Sequence, residues 1–257
     1  MLIDQILIQA KPYLEGRIIT DAVLSLSLIA VELDHCDIGL SYMLREGLPP
    51  GCSTFGFAQE LIGQNAWTAA QLAVEGTDNA QRGVGMAVLT AGSCQLPLPD
   101  EDPDDRFFGI DLKEGDVIGM IGLIPPVAKR FRESGHQTIV FDEEISHFGA
   151  SPDDVYPMAD QSKLLPSCDV VVLSGTTMIN QSLEQLLEWS CNAREIIMVG
   201  SSTPMYPEAF KGSGVTVLAG SWWDVAKKDI LFKKISLAGG IRHISDIMIK
   251  KCVRVDR

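Results

Sequence analysis

The stretch Val170-Val-Val-Leu-Ser-Gly-Thr-Thr-Met-Ile-Asn180-Gln-Ser-Leu-Glu-Gln-Leu-Leu187 decides the fold of the larger part of this chain. Its first four residues form a continuous, mostly β-branched apolar run, as expected of a strand buried on both faces. A Ser/Gly/Thr/Asn loop follows. Leu183, Leu186 and Leu187 then share one helical face, behind Ser182 and Gln185 at capping-box spacing. Strand, short loop and helix in that order predict one arm of a parallel βαβ unit.

The same grammar recurs on either side. Apolar runs at Val117–Ile121, Thr138–Phe141, Ile196–Val199 and Val215–Leu218 are separated by short connections, and residues 125–134 read as a helix with Val127 and Phe131 one turn apart. Residues 110–257 are therefore expected to form an α/β domain with a mainly parallel, doubly wound sheet of Rossmann-like architecture.

In such sheets ligands lie beyond the carboxyl ends of the strands, where loops converge. Those positions here read Gly122-Leu-Ile-Pro125, Asp142-Glu143-Glu144, Ser174-Gly175-Thr176-Thr177-Met-Ile-Asn180, Gly200-Ser-Ser202-Thr203-Pro204 and Ala219-Gly-Ser-Trp-Trp223. They are rich in small polar groups and contain no Lys or Arg. That composition predicts a polar organic ligand, or an anion held by backbone N–H groups, rather than a triphosphate. No Walker motif or G-x-G-x-x-G dinucleotide fingerprint is present, so ATP and NAD binding by the usual devices is not expected. His147, close after Glu143 and Glu144, is the histidine best placed to serve as a metal ligand. No Ser-His-Asp or Cys-His arrangement emerges at motif strength.

Upstream lies Gln95-Leu-Pro-Leu-Pro-Asp-Glu-Asp-Pro-Asp-Asp-Arg106, whose three prolines and acidic run predict an exposed linker over residues 96–109. Residues 1–95 are written differently. A short helix carrying Ile3, Ile6, Leu7 and Ala10 is expected to stop near Pro12. Leu24, Leu26 and Leu28 alternate with serines as a strand does, and Ile38, Leu40, Tyr42 and Leu44 alternate after a Leu33–Asp37 turn. Asp78 and Gln81 then open a helix with Ala80, Val84, Ala87, Val88 and Ala91 on one face, in which Gly83 and Gly85 predict close backbone packing. Strands followed by helices make this an α+β domain.

Composition bounds the function. The 257 residues carry a net charge of −13, are 46% hydrophobic and 21% charged, and so suit a globular core. An acidic chain lacks the cations that bind nucleic acid or anionic membranes, and no apolar run is long enough to span a bilayer. The N-terminus has no signal-peptide pattern, and six scattered cysteines suggest free thiols, so a cytoplasmic address is expected.

The loops carry a resemblance. Gly175-Thr-Thr-Met-Ile-Asn180-Gln-Ser-Leu-Glu-Gln-Leu-Leu187 resembles the Gly-Thr-Thr-x-x-Asn-x-Thr-x-Glu-x-Leu-Leu signature of a family of proposed heavy-metal chelatases, long catalogued only as a domain of unknown function. Gly122-x-x-Pro125, Leu164-Leu-Pro-Ser-Cys-Asp169 and Gly200-Ser-Ser-Thr-Pro204 are similar to its other loops, in the same order. The family pattern departs at Thr90-Ala91-Gly92, where Asn-Ala is expected. The resemblance implies an enolase-N-terminal-like domain joined to a Rossmann-like one, with a site where they meet. Carried over, that site is Gly122, Pro125, Glu143 or Glu144, Gly175, Thr176, Thr177, Asn180, Ser202, Thr203 and Pro204. The implied function is binding of a small polar or metal-bearing ligand, with a metal ion or metal complex as the expected partner molecule and a homo-oligomer as the expected assembly. Two alternatives stay open: a non-catalytic sensor or carrier of an adenosyl-type metabolite, and an enzyme using Glu143 or Glu144 as acid/base.

Overall fold

The computed structural model describes residues 1–48, 55–143 and 155–256. Helix α1 (Leu2–Leu14) precedes β1 (Ile19–Leu24), β2 (Leu28–Leu33) and β3 (Ile38–Tyr42); α2 (Ala66–Ala70), α3 (Leu72–Glu75) and α4 (Asn79–Ser93) complete the first half. The second half runs β4 (Val117–Ile121), α5 (Pro125–Glu133), β5 (Gln137–Phe141), α6 (Gln161–Leu164), β6 (Val170–Ser174), α7 (Thr176–Ile179), α8 (Leu183–Trp189), β7 (Glu195–Val199), β8 (Val217–Trp223), α9 (Lys228–Ser236) and β9 (Met248–Arg254). The strands form a three-stranded antiparallel sheet, β1-β2-β3, and a six-stranded sheet ordered β5-β4-β6-β7-β8-β9. All neighbours in the larger sheet are parallel except β8 and β9.

The apolar runs explain this arrangement. Every residue of β7 is buried, as are four of the five in β4 and in β6, so the central sheet is covered on both faces. Val127 and Phe131 of α5 pack on one face with Phe108, Ile110, Ile118 and Val172. The opposite face, with Val171, Leu173 and Met198, joins a core that continues through α1 and α4. The small sheet is also covered twice. Ile29 and Val31 face α4, whereas Leu28, Ala30, Ile38 and Leu40 pack against Leu231, Phe232 and Ile235 of α9. Each of these α9 side chains contributes roughly 1.5–3 kcal/mol by leaving water. The C-terminal helix thus completes the core of the N-terminal sheet.

Close approaches account for the helical glycines. A Cβ on Gly85 would run into the backbone of Leu72 and Ala73, and one on Gly83 would lie 2.6 Å from Ile29 Cδ1. Both contacts lie within the first half. Thr90, in the stretch that departs from the family pattern, is a core residue: its hydroxyl donates to Leu40 O at 3.2 Å and Ala87 O at 2.9 Å. The halves are stitched together by Arg82 Nε donating to Ile179 O at 2.6 Å and by the Tyr206 hydroxyl donating to Leu89 O at 2.9 Å.

Several local expectations are corrected. Helix α1 passes through Pro12 and ends at Leu14, because a buried face anchored by Ile6, Ala10 and Leu14 outweighs one lost backbone bond. Leu24 and Leu28 belong to different strands, and Leu26 is exposed in the turn between them. Ala219–Trp223 is no loop: it continues β8, because β9 pairs along its whole length. Ser182 makes no capping bond to α8. The acidic stretch keeps exposed side chains at Asp100, Asp102 and Asp104, yet it is anchored. The Glu101 N–H donates to Lys250 O at 2.9 Å, and Lys251 Nζ reaches Leu98 O at 3.1 Å and Asp100 at 2.5 Å.

Candidate functional site

The strand order sets where a crevice can open. From β4 the chain crosses outward to β5 on one side and then to β6 on the other, so the loops leaving β4 and β6 diverge at their carboxyl ends. Gly122, just past β4, sits at φ +80°, a region that costs an L side chain about 1–2 kcal/mol. Its N–H donates to Phe141 O at 2.8 Å, and a Cβ there would lie 3.0 Å from Ser174 Cβ. Gly122 and Ser174 therefore form a tight seam across the divergence point.

Two side chains hold the rim. Asp142 Oδ2 accepts from the Leu123 N–H at 2.7 Å, tying the loop after β4 to the end of β5. Ser174 Oγ accepts from Thr176 N at 3.3 Å and shares a 2.8 Å hydroxyl bond with Thr176 Oγ1. Whichever hydroxyl donates, the pair keeps one O–H and further lone pairs for a ligand. Neither Asp142 nor Ser174 stands among the residues expected from sequence. Ser174 ends β6 and Asp142 follows β5 within the quoted loops, but their roles depend on partners that local spacing does not show.

The expected residues divide into two groups. Gly122, Pro125, Glu143, Thr176 and Asn180 are exposed or half-buried around the crevice. Gly175, Thr177, Ser202, Thr203 and Pro204 are buried beneath it. A Cβ on Gly175 would lie 2.7 Å from the Ser202 carbonyl carbon and Thr203 N, so this glycine allows the loops after β6 and β7 to touch. The Thr177 hydroxyl donates to Ser174 O at 2.8 Å, and Ser202 Oγ accepts the Tyr42 N–H at 2.9 Å. Asn180 turns its Oδ1 to the N–H and hydroxyl of Ser182, at 3.2 and 2.7 Å. Ser201 Oγ and Thr203 Oγ1 are buried with no hydrogen-bond partner among the described residues. Glu144 and His147 lie outside the described residues.

Two chemical conclusions follow. Among the described residues, no group of three His, Cys, Asp or Glu side chains is placed to hold a metal ion. The first turn of α5 presents no outward backbone N–H to an anion. Pro125 and Pro126 have no N–H, and those of Val127 and Ala128 both donate to Ile124 O, at 2.9 and 3.0 Å.

Fold and crevice together define a mixed α+β protein whose parallel sheet opens a candidate ligand crevice at its divergence point. The chain belongs to the family described as "Putative heavy-metal chelation": the DUF364 model matches residues 106–254, and a second model with the same description, DUF4213, matches residues 8–93. An uncharacterized protein of Methanocaldococcus jannaschii is 34% identical over 165 residues, covering 62% of this chain and 61% of that protein. The match thus spans less than two thirds of that relative's length. Two solved structures of DUF364 proteins of unknown function share the fold. The one from Pyrococcus horikoshii has a TM-score of 0.81 at 21% identity, covering 99% of this chain and 100% of its own. The one from Desulfitobacterium hafniense has a TM-score of 0.78 at 18% identity, covering 98% of each chain. No helix among the described residues is long and apolar enough to cross a membrane.

Proposed function

We propose that the protein binds a small, polar, metal-bearing ligand in the crevice outside the carboxyl ends of β4, β5, β6 and β7, as its part in heavy-metal chelation. The Gly122–Ser174 seam carries this reading: a left-handed glycine pressed against a strand-end hydroxyl residue, at the place where a parallel sheet opens. The family description supplies the metal, and the described residues supply too few ligands for a bare ion. The metal then arrives in an organic carrier, whose polar edge meets Thr176, Asn180 and Glu143. In this reading the larger sheet acts as a Rossmann-like domain over residues 110–257. Residues 1–95 act as an enolase-N-terminal-like domain, joined through 96–109.

Native mass spectrometry of freshly purified protein, with elemental analysis of the same sample, tests the proposal. A co-purifying metal-bearing species is expected. Thr176→Val and Asn180→Ala should each weaken its binding at least tenfold, about 1.4 kcal/mol, without lowering the melting temperature to match. Binding unchanged in both variants would remove the crevice as the site.

A further inference from the structure

The acidic stretch that joins the two halves walls a separate cavity of about 320 Å³, lined by Glu101, Pro103, Asp105, Arg106, Arg130 of α5 and Lys250 of β9. None of these residues belongs to the loops that follow β4 to β7. A cavity of this size suits a small organic molecule. Its lining has the opposite sign to the chain: three cations stand against two carboxylates, in a protein of net charge −13. At physiological ionic strength, exposed charges more than about 8 Å away are largely screened, so the lining decides which ligands enter.

The cations of the lining outnumber their partners. Glu101, whose side chain is only 11% exposed, is shared between Lys250 Nζ at 3.4 Å and Arg130 Nη1 at 4.0 Å. Asp105 Oδ1 is occupied by the Phe107 N–H at 2.8 Å. Arg106 reaches Glu133, outside the lining, at 3.7 Å, in an exposed pair of the kind that holds at most about 1 kcal/mol. Nor do the side chains of Arg106 and Lys250 fix the acidic stretch in place. That is done by Lys251 on Leu98 O and Asp100, by the Glu101 N–H on the Lys250 carbonyl, by Phe107 stacked on Phe131 at 5.4 Å, and by the buried Phe108.

We propose that this cavity is an anion site, independent of the crevice, that takes a small molecule bearing a phosphate group on Arg106, Arg130 and Lys250. A phosphate monoester carries a charge of about −1.5 to −2 and three terminal oxygens, so it can engage all three cations at once. Planar guanidinium forks match its oxygens in pairs. A monocarboxylate brings half the charge and two oxygens. The rest of the cavity accommodates the organic part.

Glycerol phosphate is the probe, with acetate as the monoanion control, titrated calorimetrically into the full chain in about 0.15 M sodium chloride. Saturable binding of glycerol phosphate, at least tenfold tighter than that of acetate, is expected. The double variant R106A/K250A should weaken it at least tenfold. K233A/R242A, which removes the same charge from exposed positions outside the lining, should leave it within twofold of wild type. Lys250→Glu, a single exposed change, repeats the test should the double variant fail to give the wild-type circular dichroism spectrum, and it too should weaken binding at least tenfold. Absence of saturable binding to the wild type, equal affinity for acetate, or undiminished affinity in folded R106A/K250A or Lys250→Glu would each overturn the proposal. An equal loss in K233A/R242A would reduce the effect to net charge and overturn it as well.

Discussion

Replacing Gly122 by alanine tests the seam at the crevice most directly. Two costs are separable. Forcing an L residue to φ +80° costs about 1–2 kcal/mol. The new Cβ, 3.0 Å from Ser174 Cβ, must also displace its neighbour, for about 1 kcal/mol more. The sum of roughly 2–3 kcal/mol, at about 2–4 °C per kcal/mol for a chain of this size, lowers the melting temperature by about 5–10 °C. The contact part is removable. In a Ser174→Gly background the added methyl meets no Cβ, so Gly122→Ala there should cost about 1 kcal/mol less than in the wild type. Urea titrations of the four proteins measure both the cost and the coupling. An additive cycle would show that the two residues do not touch. A Gly122→Ala melting temperature within a degree of wild type would refute the left-handed turn itself.

Two further outcomes are expected. Arg194 lies beside Asp116 at 2.6 and 3.2 Å, and its hydrogen bonds hold that carboxyl below the ordinary value of 3.8. Folding stability from this pair is complete above 3.8 and is lost as pH falls through the lower native value; urea midpoints measured down the acid range should therefore fall less steeply in Asp116→Asn than in the wild type, and equal slopes would refute the assignment. The exposed thiols of Cys36 and Cys191 should be alkylated in the native protein well before Cys94, pushed up by burial to about 12, or Cys168 and Cys252, pushed up by burial to about 11. Peptide mapping after brief labelling decides that order, a denatured sample should titrate six thiols, and early labelling of Cys94 would contradict the buried core around it.

How much of this was legible in sequence depends on whether the deciding interaction was local. The strands β4 to β7 could be read nearly to the residue, because a short apolar run bounded by polar turns has few alternatives in a parallel sheet. Strand β9 could not. Its Lys250, Lys251 and Arg254 look like a solvated basic tail, and only its pairing with β8 converts both stretches to strand. The serines at positions 25 and 27 imitated strand alternation while sitting in a turn. At the crevice, Gly122 was legible as a strand-end glycine of the expected site. The Asp142–Leu123 bond joins residues 19 apart and left no periodic trace. The signature residues Thr177 and Asn180 were legible as important, but their geometry spends them on the Ser174 carbonyl and on Ser182.

The buried half of the signature has a mechanical meaning. The Tyr42 N–H, at the end of β3, is held by Ser202 Oγ at 2.9 Å. The peptide joining Ser202 to Thr203 lies against Gly175, with no room for a methyl group between them. Gly175 continues from Ser174, and Ser174 closes on Gly122. The floor of the crevice is thereby referenced, contact by contact, to the edge of the N-terminal sheet. That sheet is itself clamped between α4 and α9, the second of which comes from the far end of the chain. Each junction in this series is either a hydrogen bond or a contact with no room for a Cβ. Residues 1–48 are thus linked, through Tyr42, Ser202 and Gly175, to the Gly122–Ser174 seam. The buried Gly175 and Ser202 thereby carry a position across the molecule.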